Sequence, residues 1–239
     1  MRKPKMILFD HGHTLIYSPN FLPVRGTEEL MRHVRKNPYG HTLEDVRKLS
    51  EELWTDHFET ARRLGYEARV QTSDRIVFES LGIELDLTPL EAEIVFWNAA
   101  SPGFLMPGAD RMIDYLNRTG IRSGVISNLI FSGEALADRI GRFLPHHRFE
   151  FILSSCDYYF RKPHRYMFDV AVAKAGLSPD EIWYCGDNPA FDAAGAHGAG
   201  IFPVWFDSDV DKKEERPAPE CAHLHIREWD ELIRLLETL

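Results

Sequence analysis

Cysteine is scarce: only Cys156, Cys185 and Cys221 occur in 239 residues, an odd number without the paired spacing of a zinc site. Neither a disulfide framework nor a structural zinc centre is expected, and a reducing cytoplasm suits the chain best. Runs of lysine or arginine are also missing. The balance is acidic, 37 Asp and Glu against 28 Lys and Arg for a formal charge of −9, so nucleic acid is not an expected partner. No apolar stretch approaches the roughly 18 residues of a membrane span, and the basic start MRKPKMILFD is too short in apolar residues for a signal peptide. No membrane association is expected, and no internal repeat is visible.

What the sequence does contain is a βα rhythm broken by a long helical stretch. Met6 to Phe9 is apolar without alternation, as suits a strand buried on both faces. Between about Phe21 and Phe104 the period is helical, and no strand is expected there. The longest element, Thr42 to Leu64, opens on a Thr-x-x-Asp capping pattern and closes at Gly65; another helix opens at Thr88 with Pro89 and Glu91. Pro and Gly cluster near Tyr17 to Phe21 and near Ser101 to Gly108, which places the joints of an insert. We therefore expect residues 1–17 and 105–239 to form a core and 18–104 a separate helical domain.

From Ala109 onward helices and strands alternate. Strands are expected at Arg122 to Ser127, Phe149 to Leu153, Ile182 to Cys185 and Ile201 to Trp205. Helices are expected at Ala109 to Asn117, Glu134 to Phe143, Tyr166 to Ala175, Ala190 to Ala196 and Glu228 to Leu239. The charged stretch Asp207 to Glu220 reads as a surface loop. This order predicts an α/β fold, a mostly parallel, Rossmann-like sheet with right-handed crossovers and helices on both faces.

Four stretches carry the chemistry: ILFDHGHTL from Ile7, VISN from Val125, RKP around Lys162 and CGDNPAFD from Cys185. Each polar residue in them follows an expected strand, and in an open parallel sheet those carboxyl ends share one crevice. Asp10 is suited to be a nucleophile that attacks phosphorus and forms an aspartyl-phosphate. A carboxylate attacking an anionic ester needs charge neutralisation, and Mg²⁺ held by hard oxygen ligands supplies it. Asp10, Asp187 and the backbone carbonyl of Gly12 are the expected ligands, with Asp192 as a further ligand or close neighbour. Ser127 and Asn128 would donate hydrogen bonds to phosphoryl oxygens, and Lys162 would place positive charge beside them. Three carboxylates this close should hold at least one proton when no metal is bound. Each residue alone would read as a cap, a turn or a solvated charge; their order makes the chemical reading.

These four stretches resemble the ordered motifs of the haloacid dehalogenase-like hydrolases, over nearly the whole chain, with the helical insert placed like that family's cap. The resemblance implies a Rossmann-like core, Mg²⁺, an aspartyl intermediate and phosphatase activity on a phosphorylated small molecule. It also exposes a departure. Two residues after Asp10 the family's phosphatases carry a second aspartate, which protonates the leaving group; here the residue is Gly12.

Several readings follow from Gly12. His13, or less directly His11, could take over proton transfer, or both could simply pack in a tight loop. The leaving group could need little protonation, as in an acyl phosphate. The chain could be a phosphate-ester binding protein with little turnover, or could cleave a C–P or C–halogen bond. Retention of Asp187 and Asp192 speaks against the metal-free dehalogenases, and the insert offers only Lys36 and Lys48 for the Schiff base of the phosphonate-cleaving relatives. Tyr17, Phe21 and Arg25 near the joint are candidates for contact with substrate, Arg25 with an anionic one. Tyr158, Tyr159 and Phe160 could stack on a ligand or anchor their loop. His223 and His225 receive no role.

Overall fold

The computed structural model describes residues 1–212 and 214–239. Its main element is a six-stranded sheet. In chain order the strands are β1 (Met6–Phe9), β2 (Arg122–Ser127), β3 (Ile152–Ser154), β4 (Ile182–Gly186), β5 (Phe202–Phe206) and β6 (Leu224–Ile226). Across the sheet they run β6-β5-β4-β1-β2-β3, and every pairing is parallel. β1 lies between β2 and β4, with Phe9 opposite Val125 and Cys185. The residues just after these three strands therefore meet at one edge, beside the point where the strand order reverses direction.

β1 is buried on both faces because both faces of the sheet are covered. Ile7 and Phe9 join one apolar cluster with Met112, Leu116, Leu136, Ile140, Trp229 and Leu232. Met6 and Leu8 join the other, with Met167, Phe168, Ala171 and Ala196. The helices Ala109–Thr119, Gly133–Phe143 and Trp229–Thr238 cover the first face, and Arg165–Ala175 and Ala194–Gly198 the second. Alternation within four residues thus divides one strand between two cores. Gly120, at φ 75°, ends the helix 109–119 where a left-handed residue is needed.

Between residues 18 and 103 the chain forms the helices Pro23–Met31, Leu43–Leu53, Glu59–Arg63, Val70–Ser80 and Pro89–Ala100. Thr42 and Asp45 form the expected capping box, as do Thr88 and Glu91 with Pro89 at the first helical position. The long helix differs from expectation in its middle, where Trp54–Phe58 makes a π turn before Glu59–Arg63. Two short strands, Val34–Lys36 and Glu84–Leu85, pair antiparallel in this segment, correcting the expectation that it holds none. Three-residue strands leave too little alternation to register against helical periodicity. Where the chain leaves and re-enters the core, Ile16–Tyr17 pairs with Phe104–Leu105. No helix among the described residues is long and apolar enough to cross a membrane.

Candidate active site

Asp10 follows β1 directly, and its N–H donates to the Cys185 carbonyl of β4 at 2.8 Å. Ser127 ends β2 and is buried. Asp187 follows β4, and Asp192 sits in the π turn Pro189–Ala193 after it. One carboxylate oxygen from each of Asp10, Asp187 and Asp192 lies within 4.8 Å of the others. Gly186 makes room for this approach, since a β-carbon there would collide with the Asp192 side chain.

Lys162 stands among these acids, 3% exposed. Its ammonium donates to Asp10 Oδ1 at 2.7 Å, Asp192 Oδ1 at 2.6 Å and the Tyr184 hydroxyl at 2.7 Å. The Ile126 carbonyl is also 3.1 Å away, but it accepts from the Tyr184 hydroxyl at 3.0 Å. Three ammonium protons and one hydroxyl proton therefore cover all four contacts. Burial pushes the Lys162 ammonium down, but Asp10 and Asp192 more than reverse this and hold its pKa above the ordinary lysine range. The loop that brings Lys162 here is fixed by Asn128. The Asn128 side chain accepts from the Lys162 N–H at 2.7 Å and donates to the Lys162 carbonyl at 3.0 Å. Its amide is thereby engaged with the Lys162 backbone through its oxygen and one of its two N–H groups.

The two other acids differ in their partners. Asp192 Oδ2 accepts from the Asn188 N–H at 2.9 Å. Burial raises the Asp192 carboxyl despite the nearby Lys162. Asp187 faces outward, and Arg216 from the charged loop donates to its Oδ2 at 2.6 Å and to its carbonyl at 3.2 Å. Burial, then repulsion from Asp192 and Asp10, nevertheless raises Asp187 to about 7. Both Asp187 and Asp192 are thus raised above the ordinary carboxylate range, in the direction expected of crowded carboxylates. Three hard oxygen donors brought together after two neighbouring strands, β1 and β4, fit a divalent cation such as Mg²⁺.

Gly12 adopts no left-handed φ. A β-carbon there would meet only Asp10 Oδ2, at 3.9 Å, so neither backbone nor packing demands glycine. His11 is 6% exposed, meets the Trp97 ring edge at 5.8 Å, and leaves both ring nitrogens without a hydrogen bond. Burial, only partly countered by Asp10, lowers it to about 3; it is neutral at physiological pH. His13 adopts φ 52° and lines a small polar cleft with Asp187, Lys212 and Arg216. Of the two histidines, His13 is the one that opens toward the acids.

Arg25 lies exposed on the helix Pro23–Met31 and does not join the cluster. Lys36 pairs with Glu84 at 2.7 Å and Lys48 is exposed, so neither approaches Asp10 as a Schiff-base lysine must. Tyr159 is 63% exposed at φ 70°, while Phe160 stacks on His164 at 4.2 Å; these rings anchor the lysine loop. His225 stacks on Trp205 at 4.5 Å and reaches Asp207 Oδ2 at 3.2 Å. Tyr184 and Arg216 were missed in the sequence. Tyr184 lies on the sheet face shared by Met6 and Leu8 of the neighbouring strand, a placement that period two could have suggested. Arg216 sits in a charged loop that gives no signal.

Polar contacts join residues 18–104 to the elements around the site. Arg139, 1% exposed, donates to the Ser101 carbonyl at 2.7 Å and the Ser18 hydroxyl at 3.2 Å, both in the crossings to the helical segment. Glu93 accepts from the Ser132 N–H at 2.6 Å and hydroxyl at 2.5 Å. Glu67 receives Arg161 and, at 2.7 Å, the Ser155 hydroxyl.

Comparison with known proteins identifies relatives in sequence and in fold. Over 126 residues the chain is 29% identical to a phosphoserine phosphatase of Thermus thermophilus, a match covering 52% of this chain and 49% of that protein. The chain thus spans about half the length of that relative. It is 23% identical to a glyceraldehyde 3-phosphate phosphatase of Pyrococcus furiosus, over 99% of this chain and 95% of the relative. In fold it is similar to a 2-haloacid dehalogenase of Pseudomonas syringae pv. tomato, with a TM-score of 0.65 at 21% identity over 98% of this chain and 99% of that one. The family description matches residues 4–200. With its parallel sheet and its acids gathered at the strand ends, the chain belongs to the haloacid dehalogenase-like hydrolase family.

Proposed function

We propose that this protein is a cytoplasmic, Mg²⁺-dependent phosphatase of a phosphorylated small metabolite, working through an aspartyl-phosphate on Asp10. The observation that carries the reading is Lys162, which ties Asp10 and Asp192 together inside a group of three carboxylates. Asp10 Oδ1 is held by Lys162, so Oδ2 is the oxygen left to attack phosphorus in line. The phosphorus–oxygen bond to the leaving group breaks as the one to Asp10 forms. Water then attacks phosphorus and frees Asp10 and inorganic phosphate. Ser127, at the end of β2, is placed to donate to a phosphoryl oxygen. Mg²⁺ would be held by Asp10, Asp187, Asp192 and the Gly12 carbonyl, and would offset the charge of the phosphate. Residues 18–104 form, in this reading, a cap over the crevice that excludes water and shapes the choice of substrate.

Gly12 directs the choice of leaving group. With His11 neutral and no carboxyl at residue 12, an acyl phosphate, which departs without a proton, suits the site better than an alkyl phosphate. The same glycine supports a second reading, a phosphate-ester binder with little turnover. Phosphate release from alkyl and acyl phosphates, with and without Mg²⁺ and alongside Asp10→Asn, separates them. Magnesium-dependent release abolished by Asp10→Asn, with acyl phosphates preferred, is expected. Metal-dependent ligand binding without release from any substrate would replace the enzyme by the binder.

A further inference from the structure

Away from Asp10, the helical segment encloses a cavity of about 400 Å³, inside the roughly 300–1,000 Å³ range of small-molecule sites. Its walls are largely apolar and include five aromatic rings: Phe21, Trp54, Phe58, Phe78 and Phe96. Trp54 and Phe58 begin and end the π turn and stack on each other at 4.7 Å. Single π turns are rare and recur at functional sites, where they turn side chains that a regular helix would place elsewhere. The cavity wall also carries charge. Arg47 and Glu51 pair with each other, and Arg47 also bonds Glu44 at 2.6 Å. Asp74 is different: among the described residues its side chain has no hydrogen bond and no ion pair. Burial and the neighbouring Glu93 raise its carboxyl to about 7, the condition of an acid short of a counter-ion.

We propose that this cavity is a binding site for a small amine with an aromatic or aliphatic body, its ammonium paired with Asp74 and its body among the rings. Charge complementarity selects the amine, because among the described residues no cation pairs with Asp74, whereas the lining acid Glu51 is paired with Arg47. The aromatic walls favour it further, since ring faces attract ammonium groups. Trp54 already attracts one cation, the Arg62 guanidinium, at 5.3 Å. The cavity's lining includes none of the three clustered acids. Phe96 in the wall meets Phe131, Phe131 stacks on Trp97 at 4.2 Å, and Trp97 meets His11 beside Asp10. Occupancy can be read without any turnover.

The test is calorimetric titration with phenethylamine at about pH 8, where Asp74 is ionised, with 2-phenylethanol and phenylacetate as controls. Saturable binding of the amine at millimolar concentrations or below is expected, with a rise in melting temperature and with weaker binding of both controls. Asp74→Asn should weaken the amine by about tenfold or more and leave the alcohol unchanged. Ser50→Phe, at a position whose hydroxyl bonds only the Val46 carbonyl of its own helix, should fill the cavity and abolish binding. Circular dichroism verifies that both variants fold. No binding by the folded wild-type protein, or amine binding indifferent to Asp74→Asn, would overturn the proposal.

Discussion

Replacing Gly12 by Asp tests the proposed chemistry most directly. A β-carbon at residue 12 meets only Asp10 Oδ2, at 3.9 Å, an ordinary contact, and the backbone is not left-handed. The new carboxyl should therefore enter without strain, beside the oxygen that attacks phosphorus. A positioned acid accelerates departure of a poor leaving group by about 10²- to 10⁴-fold, or about 2.7–5.4 kcal/mol of barrier. The gain should be confined to alkyl phosphates, because an acyl phosphate leaves unprotonated. The cost falls on the metal-free protein. A fourth carboxylate about 5 Å from Asp10 would meet about 3 kcal/mol of repulsion at an effective dielectric constant near 20, partly relieved by Lys162. Gly12→Asp should thus melt lower than the parent without Mg²⁺ and recover when the ion is added. Phosphate release from one alkyl and one acyl phosphate at saturating Mg²⁺, with melting curves for both proteins, decides the matter. Alkyl-phosphate turnover unchanged within about threefold, in a folded variant that still responds to Mg²⁺, would refute the role assigned to residue 12.

Four further outcomes are expected. Lys162→Met removes the buried cation from Asp10, Asp192 and Tyr184 and should cost about 3–5 kcal/mol in urea denaturation at neutral pH. The cost should shrink near pH 5, where the abandoned carboxylates take up protons, and a loss under about 1 kcal/mol would contradict the assigned ion-pair geometry. Asp187, raised to about 7 in the folded chain against about 3.9 unfolded, binds more protons folded than unfolded between those values. Metal-free stability should therefore fall as pH rises through that window, and calorimetry should find the slope reduced in Asp187→Asn. Arg216→Ala frees Asp187 of its guanidinium and should tighten Mg²⁺ binding measured by titration; weaker binding would speak against Asp187 as a ligand. His13 sits at φ 52°, so His13→Gly should raise stability by up to about 1 kcal/mol, and unchanged turnover would remove His13 as a proton donor.

The sheet was legible because each central strand is a short apolar run that ends on a polar residue. β2 runs Arg122–Ser127 as expected, and β4 differs by one residue at Gly186. Capping patterns at Thr42 and Thr88 likewise carry their own chemistry in sequence. What stayed hidden depends on tertiary neighbours. β6 spans only Leu224–Ile226, and its pairing with β5 rests on three residues that show no period. The π turn at Trp54 has no local signature. In the site, sequence order identified Asp10, Lys162, Asp187 and Asp192 but not the division of labour among them. Asn128 looked like a phosphate donor because it ends a strand, and its amide also holds the Lys162 loop. Arg216 lies twenty-nine residues beyond Asp187, a distance over which a charged loop predicts no particular partner.

The charge balance of the crevice explains why the proposed activity depends on a metal rather than on the chain's own cations. Asp10, Asp187 and Asp192 face Lys162 and Arg216, so three acids stand against two bases. Lys162 is already committed to Asp10 and Asp192, and at 3% exposure it has no other place to go. Among the described residues, the ion pairs of the three acids leave neither Lys162 nor Arg216 free for an entering phosphate dianion. Burial, then repulsion from Asp192 and Asp10, raises Asp187 to about 7 even with Arg216 beside it. Arg216 is the exchangeable partner, since its side chain is 32% exposed and comes from a surface loop. A divalent cation that displaces the Arg216 guanidinium would convert an acid-rich crevice into one that accepts phosphate. The same exchange leaves Lys162 in place to hold the nucleophile, which is why the lysine is buried and the arginine is not.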